Sequence, residues 1–406
     1  MKTLAEWLDW QETLHQSVIE LGLERIRQVA NRMGLLAVAV PVITVAGTNG
    51  KGSTCAMLTR ILTLQGYRVG TYTSPHLLHY NERIALNGQP LADERICEAF
   101  AAIEAARGDI SLTYFEFGTL AAVWCFLQAN VDVMVLEIGL GGRLDAVNLW
   151  DADVAIITSI GIDHVEWLGS TREAIGREKA GIMRPGKPVI CGDDDPPDSI
   201  GEEAERVNAI LWQYGRDFTA EAVPELALLG AMQVRNAAVV IKTLQLLAIR
   251  LPVQTEVVKE GLHTATLTGR LQKIASNPDV IVDVSHNPHA VQELAAWLKA
   301  HPIHGKTHVI FSILADKDSA GVMKIMLPHV DAWHLVALQG PRTLPVEILE
   351  QKLRNVGLQV PVYTYGDFQT VWNFIRSSVP KQDRVVAFGS FLVVSGMLKV
   401  VTPPDH

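Results

Sequence analysis

Four cysteines are all that the 406 residues contain, and none forms a CxxC pair or a metal-ligand spacing. Cys55, Cys97, Cys125 and Cys191 are scattered among apolar or small neighbours, which reads as buried free thiols in a reducing compartment. A positive balance is also missing: 35 Lys and Arg against 44 Asp and Glu leave a net charge of −9. No diffuse positive field is then available to gather nucleic acid or an anionic membrane surface. A nucleotide can still be bound, provided that the positive charge is local. Long apolar runs are lacking too. The richest stretch, LLAVAVPVITVAG, is short and interrupted by Pro41, so no membrane span is expected. The N-terminal MKTLAEWLDWQE carries acidic residues where a secretory leader has an apolar core. Repeats, low-complexity tracts and coiled-coil heptads are absent as well. A soluble cytoplasmic protein is the expectation.

What is present describes a folded enzyme-sized chain. Apolar residues make up 48% and charged residues 19%, which excludes disorder. The length exceeds what one hydrophobic core supports, so two domains are expected. Short apolar runs alternate with helical patterns. VITVA (42–46), RVGTYTS (68–74), VDVMVLEIG (131–139), DVAIITS (153–159) and KPVICG (187–192) read as strands. STCAMLTRILTLQ, ERICEAFAAIEAA and FEFGTLAAVWCFLQA carry helical spacing. The acidic, proline-containing stretch from Gly192 to about Arg235 reads as an irregular excursion or short helices. A second series follows: DVIVDVS (279–285), THVIFSI (307–313), DAWHLVAL (331–338), QVPVYTY (359–365) and DRVVAFGS (383–390). Strands separated by helices imply parallel sheets with right-handed crossovers. The expected fold is α/β in two domains. Residues 1–267 form a P-loop ATPase-like parallel sheet with flanking helices, residues 268–406 a smaller Rossmann-like α/β domain, and TATLTG (264–269) lies at the linker.

VAGTNGKGST (45–54) sits between a strand and a helix, the context of a phosphate loop. Gly47, Gly50 and Gly52 permit turns closed to residues with a Cβ, so that backbone N–H groups can converge on phosphate oxygens. Lys51 supplies a mobile point charge. The spacing departs from GxxxxGK[ST], because Gly52 separates Lys51 from Ser53 and Thr54. Three more strand ends carry polar groups at the same expected sheet edge: Glu137 after VDVMVL, Asp163 and His164 after DVAIITS, and Ser74 with His76 after RVGTYT. Ligands collect at that edge of open α/β sheets. Glu137 suits a magnesium ion by its oxygens. Alone, an acidic strand end is commonplace and a single histidine is usually structural; the convergence of four is what argues for a site. Glu178 and Lys179, in GREKAGIMRPGKP, read from the residues alone as a solvated helix face. In the second series Asp283 and His286 of DVSHNPHA are suited to grip a ribose or phosphate, and Arg270 of TGRLQ to a polyphosphate.

Taken together, TVAGTNGKGST, TSPHLLHYNERI, LTYFEFGTLAA, LEIGLGGRLDAVN, TSIGIDHVEWLG, IGREKAGI, GRLQ, DVSHNPHA and LADKD resemble, in order and over nearly the whole chain, the folylpolyglutamate synthase/dihydrofolate synthase family, relatives of the Mur ligases. The resemblance implies ATP contacts at Gly47, Thr48, Asn49, Gly50, Lys51, Gly52, Ser53, Asn236, Arg270, Asp283 and His286. It implies magnesium ligands at Ser74, Glu137 and His164, one or two ions, and catalytic roles for Lys51, Lys179 and His164. Lys179 matches the lysine that the family carries as a carbamate. Pterin contacts fall on Glu20, Leu21, Gly22 and Leu23, on Thr113, Tyr114, Phe115 and Glu116, and on Leu144, Asp145 and Ala146. The stretch IELGLERI before the loop is similar to that of the bacterial bifunctional branch, which also accepts dihydropteroate. Two departures are visible: a shortened stretch between Cys191 and Asn236, and Ser285 where the family often has alanine, a change expected to leave Asp283 and His286 undisturbed.

The implied reaction is ATP-dependent addition of L-glutamate to dihydropteroate and to reduced folates. A carboxylate has no adequate leaving group at neutral pH, so ATP converts it to an acyl phosphate, which the glutamate amine then attacks. The expected partners are these small molecules alone, with no nucleic acid and no membrane, and the expected state is a monomer. Two related activities compete: folylpolyglutamate synthesis alone, and a Mur-type peptide ligase, which should carry a further N-terminal domain where only 41 residues precede the first strand here. A non-catalytic ATP switch would keep the loop without needing Lys179, Arg270 and Asp283 together.

Overall fold

The computed structural model describes residues 2–17, 19–340 and 342–401. The apolar runs become the central strands of two sheets. In the first half these are β1 (Val42–Ala46), β2 (Val69–Tyr72), β3 (Ile84–Leu86), β4 (Gln89–Pro90), β5 (Val133–Glu137), β6 (Val154–Ile157), β7 (Pro188–Cys191) and β8 (Ile210–Gln213). They align in the order β4-β3-β2-β5-β1-β6-β7-β8. The run from β2 to β8 is parallel throughout, while β3 and β4 add an antiparallel edge. Every residue of β1, β2, β5 and β6 is buried, as continuous apolar runs require when helices cover both faces.

Strand β1 occupies the point where the order reverses: β5 pairs with it on one side and β6 on the other. The carboxyl ends of β2, β5, β1 and β6 therefore lie side by side on one edge, the crevice where open α/β sheets take ligands. The helix Lys51–Leu64 follows β1 directly. The helix Tyr114–Gln128 starts with a capping box in which the Thr113 hydroxyl accepts from the Glu116 N–H and the Glu116 carboxylate accepts from the Thr113 N–H.

The second sheet contains β9 (Gln272–Ala275), β10 (Asp279–Val282), β11 (Thr307–Phe311), β12 (Ala332–Val336), β13 (Val362–Tyr365) and β14 (Arg384–Phe388), in the order β13-β12-β11-β14-β10-β9. Only the edge strand β9 runs antiparallel. One face packs Val309, Phe311, Trp333, Leu335, Val386 and Phe388 into a core with the flanking helices.

Contacts divide the chain into two units. The first holds residues up to Gly161 with Val165–Ala227 and Gln233–Thr266; the second holds Leu267 onward with Ile162–His164 and Leu228–Met232. Two short pieces of the earlier sequence thus belong to the second unit. Further details differ from the sequence reading. The stretch after Gly192 contains the short helix Asp198–Val207, within the reading, but also the strand β8, which that reading did not include. Strands β3, β4 and β9 were also not anticipated. Cys55, Cys125 and Cys191 are buried thiols, whereas Cys97 is only half-buried. Among the described residues no helix is long and apolar enough to cross a membrane.

Candidate active site

The loop after β1 is held by the strand end beside it. Thr48 N–H donates to Ser159 O (2.7 Å), Asn49 N–H to Ser159 Oγ (3.2 Å), and Thr158 Oγ1 to Asn49 O (2.7 Å). Thr48 Oγ1 donates to Gly161 O at 3.1 Å. Gly47 has φ +145°, and a Cβ there would stand 1.8 Å from Thr158 Oγ1, so no larger residue fits. Gly50 has φ +90° and lies against Asn236, whose side-chain oxygen would be 2.7 Å from an added Cβ. Asn236 is buried and donates to Gln233 Oε1 at 3.1 Å. The structure thus brings Asn236 onto the loop from a helix nearly two hundred residues later.

Lys51 opens the next helix and folds back, donating to Gly47 O (3.1 Å) and Thr48 O (3.3 Å). Lys179 Nζ donates to the same Gly47 carbonyl at 3.0 Å. Lys179 is 4% exposed, so the solvated face read from its helix is overturned. Tertiary packing of the helix Arg172–Ala180 turns this side chain inward, while Glu178 stays half-exposed in an ion pair with Arg143 at 2.8 Å. Gly52 does not form part of the turn: it is helical, in the first turn of Lys51–Leu64, so the left-handed backbone falls on Gly47 and Gly50 alone of the three glycines. Behind it the hydroxyls of Ser53 and Thr54 are buried with no hydrogen-bond partner among the described residues.

At the end of β5, Glu137 is buried, and its Oε2 accepts the Ser74 N–H at 3.1 Å, joining the ends of neighbouring strands. His76 Nδ1 takes a hydrogen bond from Arg83 Nε at 2.8 Å. The three segments expected to touch pterin meet in this unit. Gly22 N–H donates to Leu144 O at 3.2 Å, and Arg25 joins Glu20 to Glu116. Asp145 is buried, with Oδ2 accepting from Gly139 and Leu140 N–H and Oδ1 from Val147 N–H. Burial pushes its carboxyl up to about 7, against those three donors and the charge of Lys51. Burial likewise raises the Glu116 carboxyl, opposed by Thr113 and Arg25.

In the second unit, Arg270 lies 5.6 Å from the Phe391 ring centroid, and the His286 ring lies 6.0 Å from it. Phe391 escaped the sequence reading; its one signal is the GSF that ends the last strand run. Asp283 is buried and accepts the N–H groups of Leu271 and Ser285, both at 2.9 Å. The Ser285 hydroxyl also donates to Asp283 Oδ1. Ser285 is therefore not a silent replacement for alanine: it occupies part of the carboxylate that was expected to be undisturbed.

His164 is exposed and adopts a left-handed backbone (φ +51°), with its N–H donating to Asp163 Oδ1 at 2.8 Å. Asp163 also accepts from Lys317 Nζ (2.7 Å) and Asn287 Nδ2 (3.1 Å), with His286 Nε2 at 3.4 Å. Burial opposes its charge, yet the hydrogen bond from His286 and the charges of His164, His286 and Lys317 hold the carboxyl well below the usual carboxylate range. Lys317, from LADKD, is the partner that sequence reasoning quoted without assigning.

Among the described residues no group of three or more His, Cys, Asp and Glu is placed to hold a metal ion. Ser74 and Glu137 nevertheless offer the hard oxygen donors that magnesium takes. That ion usually keeps waters and substrate phosphates in its shell and needs only one or two carboxylates. The residues fit such an ion.

Residues 45–227 match the Mur ligase middle domain and residues 269–391 the Mur ligase glutamate ligase domain. The chain is 43% identical to the dihydrofolate synthase/folylpolyglutamate synthase of Escherichia coli strain K12, over 98% of this chain and 95% of the relative. It superposes with TM-score 0.93 at 42% identity on E. coli FolC in complex with DHPP and ADP, covering 98% of each chain. A bifunctional folylpolyglutamate synthase/dihydrofolate synthase from Yersinia pestis, complexed with AMPPNP and a Mn ion, matches with TM-score 0.90 at 42% identity, again over 98% of each chain.

Proposed function

The chain belongs to the dihydrofolate synthase/folylpolyglutamate synthase family of Mur ligases, and on that premise we propose that it is an ATP-dependent carboxylate–amine ligase with both family activities. It adds L-glutamate to dihydropteroate, making dihydrofolate, and to reduced folates, making folylpolyglutamates. The observation that carries the reading is the convergence of Lys51 and buried Lys179 on the Gly47 carbonyl of a loop braced by Thr158 and Ser159.

The proposed nucleotide contacts are Gly47 to Ser53 and Asn236 in the first unit, and Arg270, Asp283 and His286 in the second. Loop N–H groups and Lys51 hold the phosphates and stabilise the transferring phosphoryl group by position and charge. Ser74, Glu137 and His164 are the residues proposed to hold magnesium. When bound, that ion neutralises phosphate charge. Carbamylation of Lys179 would replace a buried cation by an anion. The segments at Glu20 to Leu23, Thr113 to Glu116 and Leu144 to Ala146 are assigned to the pterin. Residues 1–267 are taken as the ATP- and pterin-binding part, and 268–406 as the ligase domain. A monomeric, cytoplasmic enzyme completes the reading.

An oxygen of the substrate acid must be phosphorylated, and so made a leaving group, before an amine can displace it. The terminal phosphoryl group of ATP passes to the carboxylate, ADP leaves, and the glutamate amine attacks the acyl carbon. The tetrahedral adduct collapses to amide and phosphate. A ligation assay with ATP, magnesium and glutamate, offering dihydropteroate and tetrahydrofolate in separate reactions, tests the assignment. Amide from both acceptors is expected. Product from tetrahydrofolate alone reduces the enzyme to a folylpolyglutamate synthase, and product from neither removes the proposal.

A further inference from the structure

The three segments assigned to the pterin come from distant parts of the chain, and the first of them, residues 20–23, has no regular secondary structure of its own. Its backbone is tied to the third segment through Gly22 N–H and Leu144 O. Arg25 ties it to the second. Arg25, in the first turn of the helix Glu24–Arg32, directs Nη1 to Glu20 Oε1 and Nη2 to both Glu20 O (3.1 Å) and Glu116 Oε1 (3.2 Å). The other oxygen of Glu116 accepts the Thr113 N–H at 2.8 Å, so one carboxylate caps a helix and receives Arg25 at once. On the far side of Glu20, His15 Nε2 lies 2.7 Å from Oε2, and His15 Nδ1 lies 2.9 Å from Ser111 Oγ. Ser111 stands two residues before Thr113, so this outer hold ends just ahead of the second segment.

Two features set this chain of contacts apart from an ordinary surface ion pair, which contributes little. Glu116 is 2% exposed, so its partner is buried where geometry counts. Arg25 also keeps Nε buried with no acceptor among the described residues, so its guanidinium is not placed by a fully satisfied structural network. The planar fork reaches two carboxylates and a carbonyl in fixed directions, which an ammonium cannot copy.

We propose that Arg25 is a positioning residue for the pterin-bearing acceptor, setting residues 20–23 in register with residues 113–116, with His15 as the outer brace. The inference rests on the pterin assignment made above. It predicts a split in kinetics that a general structural defect would not produce, because uniform binding of one substrate is lost while chemistry and ATP binding are kept.

The test uses the full chain as wild type, Arg25→Lys, Arg25→Met and His15→Ala, with dihydropteroate varied at saturating ATP and glutamate, then ATP varied, and a thermal melt of each. The KM for dihydropteroate should rise by about 10- to 100-fold in both Arg25 variants, the scale of a lost charged hydrogen bond. It should rise less in His15→Ala, while kcat and the KM for ATP stay within about twofold. An unchanged KM for dihydropteroate in the folded variants, beside an active wild type, overturns the inference and leaves the proposed function standing. Parallel losses in kcat and in the KM for ATP overturn it equally, since they mark a general defect. Should Arg25→Met not fold, Arg25→Lys and His15→Ala decide by the same criterion. A wild type that ligates neither acceptor overturns both readings.

Discussion

Lys51 and Lys179 point their ammonium groups at one carbonyl, that of Gly47, from two helices far apart in the sequence. Their environments differ. Lys51 is half-buried on a helix start and gives up only two hydrogen bonds to loop carbonyls if removed, whereas Lys179 is enclosed. Lys51→Ala should therefore keep the fold and lose the reaction. ADP release is expected to fall by on the order of 10²- to 10³-fold, the cost of one preorganised charge at a developing anion, with a near-native melting curve. Undiminished turnover would show that the loop does not hold the phosphates. The loop was legible in VAGTNGKGST, because glycine and lysine placement between strand and helix is a local property. The inward turn of Lys179 was not: GREKAGI has the charge pattern of a solvated helix, and only packing against the loop reveals otherwise. Ser285 was misjudged for a related reason, since a hydroxyl two residues from Asp283 looks neutral until the strand end folds it back onto the carboxylate.

At the scale of elements, legibility followed burial. Continuous apolar runs exposed β1, β5, β6, β11, β12 and β14, whose residues have no other place to go. The edge strands β4, β8 and β9 are partly exposed and mixed in composition, so their pairing depends on a neighbour rather than on their own pattern. The β3–β4 turn did carry a signal, Asn87-Gly88, both at positive φ as a tight hairpin demands. On the face of the second sheet opposite its Phe311 and Trp333 core, His308 of β11, His334 of β12 and Tyr365 of β13 form a chain that ends at Asp383 before β14. His334 Nδ1 lies 3.0 Å from the Tyr365 hydroxyl, His334 Nε2 lies 3.1 Å from His308 Nδ1, and His308 Nε2 lies 3.1 Å from Asp383 Oδ2. With Asp383 accepting, every donor and acceptor is matched when both rings are neutral: Tyr365 donates to His334, His334 to His308, and His308 to the carboxylate. Burial, then the neighbouring His308 charge, pushes His334 down to about 3. A histidine whose pKa is lower folded than unfolded stabilises the fold above the unfolded value near 6.5 and loses that contribution as pH falls toward the folded value. Lowering pH from 7.5 to 5 should therefore cost about 2 kcal/mol through His334 alone. Urea unfolding of wild type and His334→Gln at both pH values checks this. The variant should show the shallower pH dependence, and identical slopes would contradict it.

For the whole molecule, the net charge of −9 offers no diffuse positive field to a nucleic acid, and the four cysteines have no metal-ligand spacing. In the proposed assignment the positive charge that ATP needs is local instead, supplied by Lys51 in the first unit and Arg270 in the second. Parallel strands with polar ends, arranged around a reversal at β1, then explain why residues far apart in sequence meet on one sheet edge. The reaction at the centre of the proposed function has ATP activate the acceptor's carboxylate as an acyl phosphate, from which the glutamate amine displaces the phosphate. The direct measurement supplies dihydropteroate labelled with ¹⁸O in its carboxyl group, together with ATP, magnesium and L-glutamate, and follows the label by mass spectrometry. The expected products are dihydrofolate, ADP and inorganic phosphate carrying one ¹⁸O atom from the carboxylate. Unlabelled phosphate beside formed amide, or AMP and pyrophosphate as the nucleotide products, would contradict it.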